Sequence, residues 1–485
     1  MPSLRRALGY TLTSQYLSLG IALASTAIIA RLLTPDTIGT FSTAAVLLAV
    51  AHMLRNFGAS EYLIQQKELT RAKIRAALGT SFLMSWSLAG LLVLASGSIA
   101  SWFRTPELAG ILRILSLNFV LVPFGAMVMA QFRRDMAFDK TMAVNVPSGA
   151  VEALVSIALA FLGFGAAGLA WGGVAGMVAT VVIADRMRPR GFPRLPALVG
   201  IGEVFRFGFY TSGASAAQTL GNYAPDIIIG KLLGMSAVGY YSKAAAVASL
   251  FNQLVLRAVN LVMLSDFAER YRSGEHLGTY YAKVTGVIVT VAWSTLAFVG
   301  VHAAVLVNVL FGDQWGESIP LVQWLCVANA IQFATPLWTR PLVAMGLVRV
   351  YMRVQMLVQF VMVACVAVAA AFGLVWVAFG VVVGALLGYG LIMKTMRGSL
   401  EMSAKAWGLM YVAPAGIGLV VLVSAWAPRS IFPELDPNSL PFFAASLVTA
   451  GCGFVAAVGF SNSPLKEEAI LIYRRLKAVR MRSVL

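Results

Sequence analysis

Runs of about 20 consecutive apolar residues recur along the whole chain and constrain its fold more than any other feature. Of the 485 residues, 59% are hydrophobic and 12% are charged, whereas a soluble domain carries about 25% charged residues. A helix needs about 20 apolar residues to cross the hydrocarbon core. The runs are too long for the roughly ten-residue alternating strands of a membrane barrel. Because backbone groups inside a bilayer must be satisfied internally, the sequence predicts an all-α polytopic membrane protein.

We predict about fourteen transmembrane helices, numbered TM1 to TM14 in chain order, from the apolar runs and the polar connections between them. The predicted spans are residues 8–31, 37–58, 76–102, 107–131, 141–163, 166–184, 205–229, 236–262, 284–309, 318–341, 350–372, 374–393, 406–427 and 440–461.

The Lys and Arg residues are distributed unevenly between the two sides of these spans. Thirty of the 37 lie in the termini and in the connections that follow even-numbered spans, and only four lie on the other side. Because positive residues concentrate in cytoplasmic loops, we predict that both termini lie in the cytoplasm and that the number of spans is even. The net charge of +17 therefore reflects topology, and no nucleic-acid partner is expected.

The sequence also repeats itself. The segment at residues 31–42, RLLTPDTIGTFS, recurs without a gap at residues 231–242 as KLLGMSAVGYYS. TM1–TM6 and TM7–TM12 are therefore predicted to be two copies of one unit in the same orientation, with a substrate site between them. The other matches are Tyr10-Thr11 with Tyr210-Thr211 at the same offset of 200, and Phe164-Gly165 and Gly172 with Phe372-Gly373 and Gly380 at an offset of 208.

These repeated connections, ARLLTP…G.FS and IIIGKLLG…GYYSKAA, resemble the polysaccharide-transport branch of the MOP (MATE-like) superfamily, as do the 6+6+2 helix plan and the basic middle linker. The resemblance is to Wzx-like flippases of O-antigen and exopolysaccharide pathways. It implies two six-helix bundles forming a V around a cavity. It also implies alternating-access transport of undecaprenyl-diphosphate-linked oligosaccharides to the periplasmic leaflet, with polysaccharide polymerase machinery as a further partner.

The repeat and the resemblance together define the predicted domain organisation. The tail is expected to be a basic amphipathic helix on the anionic inner leaflet. The predicted domains are an N-terminal six-helix lobe (1–184), a cytoplasmic linker (185–204), a C-terminal six-helix lobe (205–395), the extra helix pair TM13–TM14 (396–461) and the cytoplasmic tail (462–485).

Polar residues inside the predicted spans indicate where a cavity wall lies. TM7 carries Gln218, Asn222 and Asp226 on one face, and TM1 carries Gln15 on the matching face. Polar groups facing lipid are costly, so these side chains are predicted to line a substrate cavity. The alternative is that they serve helix–helix packing, because small polar residues bridge transmembrane helices.

TM8 is predicted to carry the cationic part of the same cavity. Lys243 and Arg257 are four helical turns apart on one side, and Gln253 and Asn260 lie near them. A buried cation needs water or an anion, and a diphosphate headgroup is such an anion. His52 and Arg55 occupy the corresponding end of TM2, although Arg55 equally fits a residue that snorkels to the interface.

Glu152 is predicted to lie at mid-membrane in TM5, on one face with Asn145. A carboxylate in that position suits a proton- or cation-coupling role. The structural alternative is a neutral Glu152 hydrogen-bonded to Gln359 of the related TM11. Coupling to H⁺ or Na⁺ is thus left open, and no other cofactor is expected.

No arrangement of residues indicates catalysis or metal binding. The three histidines are far apart, and the predicted external connections are short and lack paired carboxylates. We therefore expect a transporter without catalytic residues, and a polyprenol-dependent glycosyltransferase or polymerase is disfavoured.

A MATE-type cation-coupled drug antiporter is the stronger alternative, although TM1 lacks a carboxylate and the predicted cavity is cationic. The sugar repeat unit and the oligomeric state are not encoded in any recognisable motif.

Overall fold

The computed structural model describes residues 4–55, 59–66, 68–461 and 463–467, and contains no strand in these ranges. The helices are α1 (Leu4–Leu32), α2 (Pro35–Arg55), α3 (Ala59–Gln65), α4 (Arg71–Phe103), α5 (Glu107–Arg134), α6 (Phe138–Phe161), α7 (Gly165–Arg186), α8 (Ile201–Leu232), α9 (Met235–Ala248), α10 (Arg257–Arg272), α11 (Leu277–Val301), α12 (Ala303–Phe311), α13 (Ser318–Gln332), α14 (Thr339–Ala344), α15 (Val348–Ala370), α16 (Leu374–Leu400), α17 (Ala404–Ile431) and α18 (Leu440–Phe460).

Among these described helices, eleven are long and apolar enough to cross a membrane. The all-α polytopic membrane class is therefore confirmed. The other three predicted spans, TM7, TM8 and TM10, correspond to α8, to α9 with α10, and to α13 with α14. The total of fourteen spans stays a prediction.

Besides the span 284–309, which passes from α11 to α12 at His302, two predicted spans are interrupted in the structure. The span 236–262 is divided between α9 and α10 by a π-helical turn at Asn252–Leu256, a geometry in which one extra residue widens the helix. The span 318–341 ends as α13 at Gln332, and α14 follows at Thr339. Pro336 lies in the gap, and proline lacks the N–H that would continue a helix. Neither span is thus the single continuous helix that its hydropathy predicted.

The chain divides into two compact units. The first contains Met1–Ser242 with Leu310–Gln314, and the second contains Lys243–Val309 with Trp315–Leu485. The predicted domain boundaries at residues 184 and 205 were drawn from the repeat, and they stay a prediction.

In the first unit, α6 and α7 pack with their backbones in close contact. A Cβ added to Gly172 would lie 1.9 Å from Ser156 Oγ, and one added to Gly176 would lie 2.8 Å from the Cβ of Glu152. Small residues permit such close approach between transmembrane helices. These glycines therefore fix the α6–α7 hairpin.

The second unit contains the related hairpin of α15 and α16, built in the same way. A Cβ on Gly380 would lie 2.6 Å from the Cβ of Ala369, and one on Gly384 would lie 2.8 Å from Met362 Sδ. Gly380 and Gly384 follow Gly172 and Gly176 by 208 residues, which is the second offset of the sequence repeat. Both copies of the repeat therefore contain the same close contact between two helices, made by glycines at equivalent positions.

The two copies of the repeated segment also contact each other within the first unit, where α2 crosses the start of α9. A Cβ on Gly39 would lie 1.7 Å from the carbonyl oxygen of Met235, and one on Gly239 would lie 2.1 Å from that of Pro35. Both glycines are required for this approach because the obstructing atoms belong to the backbone. The crossing is nearly symmetric, since each partner occupies the equivalent place in its own copy.

Candidate functional site

The polar stripe predicted on TM7 lies along α8, in the first unit. Gln218 and Asn222 are exposed, and Asp226 is half-buried. Helix α8 corresponds to the predicted span TM7, and an exposed amide inside a bilayer needs water because lipid offers it no hydrogen-bond partner. The assignment of this surface to a cavity wall stays a prediction.

A second polar surface lies on α6 of the same unit. Asn145 and Glu152 are exposed, whereas Ser148 and Ser156 on the same face are buried. Gly176 of α7 lies against the stem of Glu152, which fixes where the side chain leaves the helix. An exposed carboxylate in the middle of a spanning helix is costly unless it contacts water, a cation or a proton donor. A coupling role for Glu152 stays a prediction.

The remaining predicted residues of the first unit are more enclosed. Gln15 and Arg55 are half-buried and both take part in interactions with other residues. The ring centroid of His52 lies 4.5 Å from that of Phe119, and Phe119 is fully buried. This contact gives His52 a packing role in the helix core in addition to the polar role that the sequence suggested.

In the second unit, Lys243 is only 8% exposed. Its Nζ lies 5.8 Å from the centroid of the Trp315 ring, which is within the range of a cation–π interaction. The sequence predicted a cation at this position, and the aromatic partner emerges only from the structure, because Trp315 lies 72 residues away in the chain. Lys243 is therefore a buried cation whose charge an anion would stabilise.

The other residues predicted for the second unit differ in burial and in hydrogen bonding. The Nε2 of Gln253 donates a hydrogen bond to Ser249 Oγ over 2.9 Å, which uses one of its two amide hydrogens locally. Gln359 is half-buried on α15. The side chains of Arg257 and Asn260 lie outside the described part of the structure.

Asn329, which the sequence analysis did not single out, makes a hydrogen bond at the interruption of TM8. Asn329 of α13 donates from Nδ2 to the carbonyl oxygen of Ala248 over 3.0 Å. This carbonyl ends α9 just before the π-helical turn, where helical backbone groups lose their partners. The available signal was a lone asparagine inside an apolar span, a pattern that marks a bridging side chain as readily as a cavity residue.

Residues 28–320 match the family described as "Polysaccharide biosynthesis protein". The chain belongs to this family. The predicted resemblance to the polysaccharide-transport branch is thereby confirmed.

Relatives in this family are distant in sequence. The chain is 26% identical over 334 residues to the succinoglycan biosynthesis transport protein ExoT of Rhizobium meliloti, covering 67% of this chain and 66% of that protein. It is 24% identical to the lipopolysaccharide biosynthesis protein WzxC of Escherichia coli, covering 65% and 64%. These two alignments span just under two thirds of the relatives' own length. An uncharacterized membrane protein in the cps region of Klebsiella pneumoniae is 22% identical, with 93% of both chains covered.

Solved structures of two transport proteins resemble this chain in fold. The inward closed conformation of the lipid II flippase MurJ aligns with a TM-score of 0.74 at 10% identity, covering 96% of this chain and 98% of that chain. An inward-facing multidrug resistance MATE transporter of the MOP superfamily aligns with a TM-score of 0.61 at 15% identity, covering 80% and 96%. The chain therefore shares its fold with these two structures.

Proposed function

We propose that this protein is a flippase that moves undecaprenyl-diphosphate-linked oligosaccharide repeat units from the cytoplasmic to the periplasmic leaflet by alternating access. The product would be a surface polysaccharide such as O-antigen or exopolysaccharide. The observation that carries the proposal is the exposure of Asn145 and Glu152 on α6, a helix long and apolar enough to cross a membrane, and of Gln218 and Asn222 on α8. Such side chains need an aqueous path inside the bilayer, and a sugar headgroup needs the same path. The names of the family and its relatives support this substrate class.

Recognition of the diphosphate is assigned to Lys243 and Arg257, with Arg55 as a further contact. Lys243 would have to exchange its cation–π contact, worth about 0.5–2 kcal/mol, for a charge-assisted hydrogen bond to phosphate. That exchange is favourable in an apolar environment, where an ion pair gains more than it does in water. The neutral polar residues on α1 and α8 would then contact the sugars, because hydroxyl groups pair with amides.

Energy coupling is assigned to Glu152, with Asn145 and Gln359 as supporting polar groups. The carboxylate would bind a proton or Na⁺ in one conformation and release it in the other. Only a difference in affinity between the two conformations allows an ion gradient to drive transport. The remaining parts of the proposal are an inner-membrane location with both termini cytoplasmic, and cooperation with polysaccharide polymerase machinery.

The test is transport of fluorescent lipid-linked oligosaccharide in proteoliposomes under an imposed proton or sodium gradient. We expect Arg257→Ala to abolish transport and Arg257→Lys to restore part of it, because Lys keeps the charge but loses the bidentate fork. Arg272→Ala is the matched control, since Arg272 is exposed at the far end of the same helix. Full activity of Arg257→Ala would exclude the phosphate role.

For coupling, the informative variant is Glu152→Gln, which keeps the shape and the hydrogen bonding but cannot ionise. We expect it to bind substrate normally and to lose the dependence of transport on the gradient. Asn145→Asp is the companion variant, because it adds a carboxylate on the same helix face. If Glu152→Gln responds to the gradient as the wild type does, Glu152 is structural and the driving force lies elsewhere.

A MATE-type cation antiporter is the second candidate, favoured by the exposed Glu152 carboxylate, which would suit an organic cation. Efflux of ethidium from proteoliposomes distinguishes the two functions. A flippase leaves ethidium efflux at the level of empty liposomes, whereas an antiporter accelerates it and makes it dependent on Glu152.

A further inference from the structure

The linker that joins α7 to α8 exposes large apolar side chains on the predicted cytoplasmic side. Leu195, Leu198 and Val199 are 72%, 76% and 87% exposed, and residues 192–197 belong to no helix or strand. Phe192 of the same linker packs instead against buried residues of the first unit. Apolar side chains that cluster on a surface mark a site of interaction with a protein or a membrane. This apolar cluster of three residues therefore indicates an interaction surface.

The backbone of the apolar cluster is held against the first turns of α4. The N–H of Ala197 donates to the carbonyl oxygen of Arg75 over 2.9 Å, and Arg75 Nε donates to the carbonyl oxygen of Leu195 over 3.3 Å. About one turn further along α4, a Cβ on Gly79 would lie 2.1 Å from the carbonyl oxygen of Ala197. The apolar cluster therefore lies at the level where the predicted span 76–102 begins.

The same face of α4 is apolar and exposed deeper in this span. Trp86 and Val93 follow Arg75 by 11 and 18 residues, or about three and five helical turns, and they are 52% and 42% exposed. Trp86 Nε1 donates to the carbonyl oxygen of Val120 over 3.3 Å, so the polar atom of this indole is satisfied within the protein. Helix α4 is long and apolar enough to cross a membrane. This face therefore contacts lipid hydrocarbon, and the apolar cluster lies at the edge of that lipid.

Four exposed arginines surround the apolar cluster: Arg71 and Arg75 on α4, and Arg190 and Arg194 in the linker. A Cβ on Gly191 would lie 3.4 Å from Arg71 Nη2, so the arginines of α4 reach the linker. Asp185 Oδ2 lies 3.3 Å from Arg194 Nη2, and this one carboxylate leaves the surface positive. Basic residues next to a membrane are attracted to anionic lipid headgroups.

We propose that residues 190–199 form an interfacial anchor. It inserts Leu195, Leu198 and Val199 among the acyl chains of the cytoplasmic leaflet, and the surrounding arginines bind anionic headgroups. The combination of apolar and basic side chains is typical of segments that lie on a membrane surface. The geometry favours a bilayer over a protein partner, because the bilayer already contacts the adjacent face of α4 and a protein would have to displace it.

The anchor also determines the depth of α8, which begins at Ile201, two residues after Val199. The chain turns into this helix at Gly200, whose φ of 89° is readily adopted only by glycine. Helix α8 carries the polar residues Gln218 and Asn222. An anchored linker therefore sets the level of these side chains in the membrane, whatever substrate the protein transports.

The test attaches the fluorophore NBD to Leu198→Cys in the full-length protein, with Cys326, Cys365 and Cys452 replaced by Ala. The protein is reconstituted in vesicles of phosphatidylcholine and phosphatidylglycerol. We expect blue-shifted emission and at least twofold quenching by lipids brominated on their acyl chains. The matched control is NBD on Ser273→Cys, because Ser273 is exposed in another predicted cytoplasmic connection. Its probe should show neither effect.

The role of the arginines is tested with the same probe at position 198. Brominated phosphatidylglycerol should quench it at least twofold more than an equal fraction of brominated phosphatidylcholine, because the arginines enrich anionic lipid around the cluster. Arg190→Gln/Arg194→Gln should abolish this difference and leave quenching by phosphatidylcholine unchanged, which shows that the linker stays in place. Emission like that of the Ser273→Cys probe would overturn the proposal, and so would equal quenching by the two lipids with both arginines present.

Discussion

Ser236 donates a hydrogen bond from Oγ to Oδ1 of Asp36 over 3.1 Å, and the two residues are equivalent positions of the sequence repeat, 200 residues apart. Ser42 and Ser242, also separated by 200, are joined over 3.4 Å between their hydroxyl oxygens. The repeated segment thus packs against its own copy. The recurring residues therefore have a structural role in this helix crossing.

The first prediction concerns this crossing. Replacing Gly239 by Ala should destabilise the protein by at least the roughly 1–3 kcal/mol typical of overpacking, because the new Cβ meets a backbone carbonyl 2.1 Å away. Thermal unfolding in detergent measures the loss. Gly90→Ala is the control, since a Cβ there meets nothing within 4 Å, and its melting temperature should not fall. Equal melting temperatures for both variants would show that the crossing is looser than described.

The second prediction tests the α6–α7 contact by double substitution. In Gly172→Ala the new Cβ would lie 1.9 Å from Ser156 Oγ, so the variant should melt at a lower temperature than the wild type. Adding Ser156→Ala removes that oxygen and should restore part of the stability, because only contacts at 3.0 Å remain. Additive losses in the double variant would contradict a direct clash.

The third prediction concerns the short helix α3. Arg134 Nη1 donates to the carbonyl oxygens of Leu63 at 2.6 Å and Ile64 at 3.3 Å, which belong to the unpaired last turn of that helix. Arg134→Met should weaken α3 by about 1.5–3 kcal/mol, the usual value of a hydrogen bond to a charged group. Amide hydrogen exchange across residues 59–66 should accelerate.

Arg133→Met serves as the control for this experiment, because Arg133 is exposed one position earlier on α5. Its hydrogen exchange should match that of the wild type. Unchanged exchange in Arg134→Met as well would mean that the helix is held by its apolar contacts alone.

The fourth prediction is the topology. Reporter fusions after Arg194 and Ser273 should read cytoplasmic, and fusions at Gly312 and Asp436 should read periplasmic, because the basic connections are expected to remain inside. A periplasmic signal from a fusion at the C-terminus would refute an even number of spans. This experiment also decides between fourteen spans and the eleven long helices seen among the described residues.

The fold class could be predicted because lipid imposes simple rules on a chain: apolar runs of sufficient length must become helices. The repeat was visible because segment 231–242 keeps the turn and the glycine of segment 31–42. The interruptions could not be predicted from hydropathy. The π-helical turn at Asn252–Leu256 leaves the apolar pattern intact. The carbonyl oxygen of Ala248, just before that turn, accepts a hydrogen bond from Asn329, which is distant in the sequence.

The candidate site was predicted only in part for a related reason. The exposed residues Asn145, Glu152 and Gln218 followed from polarity on a helix face, which is a local property. The contact between Lys243 and Trp315 joins distant segments, and no periodicity encodes it.

The glycine crossing has a consequence for how such a chain can diverge after duplication. Most positions in two copies are free to drift apart, as Ala179 and Leu387 have done. Gly39 and Gly239 are not, because a side chain on either one collides with the backbone of the other copy. A substitution of either glycine therefore disturbs the packing of both copies. At these two positions the duplicated halves cannot change independently of each other.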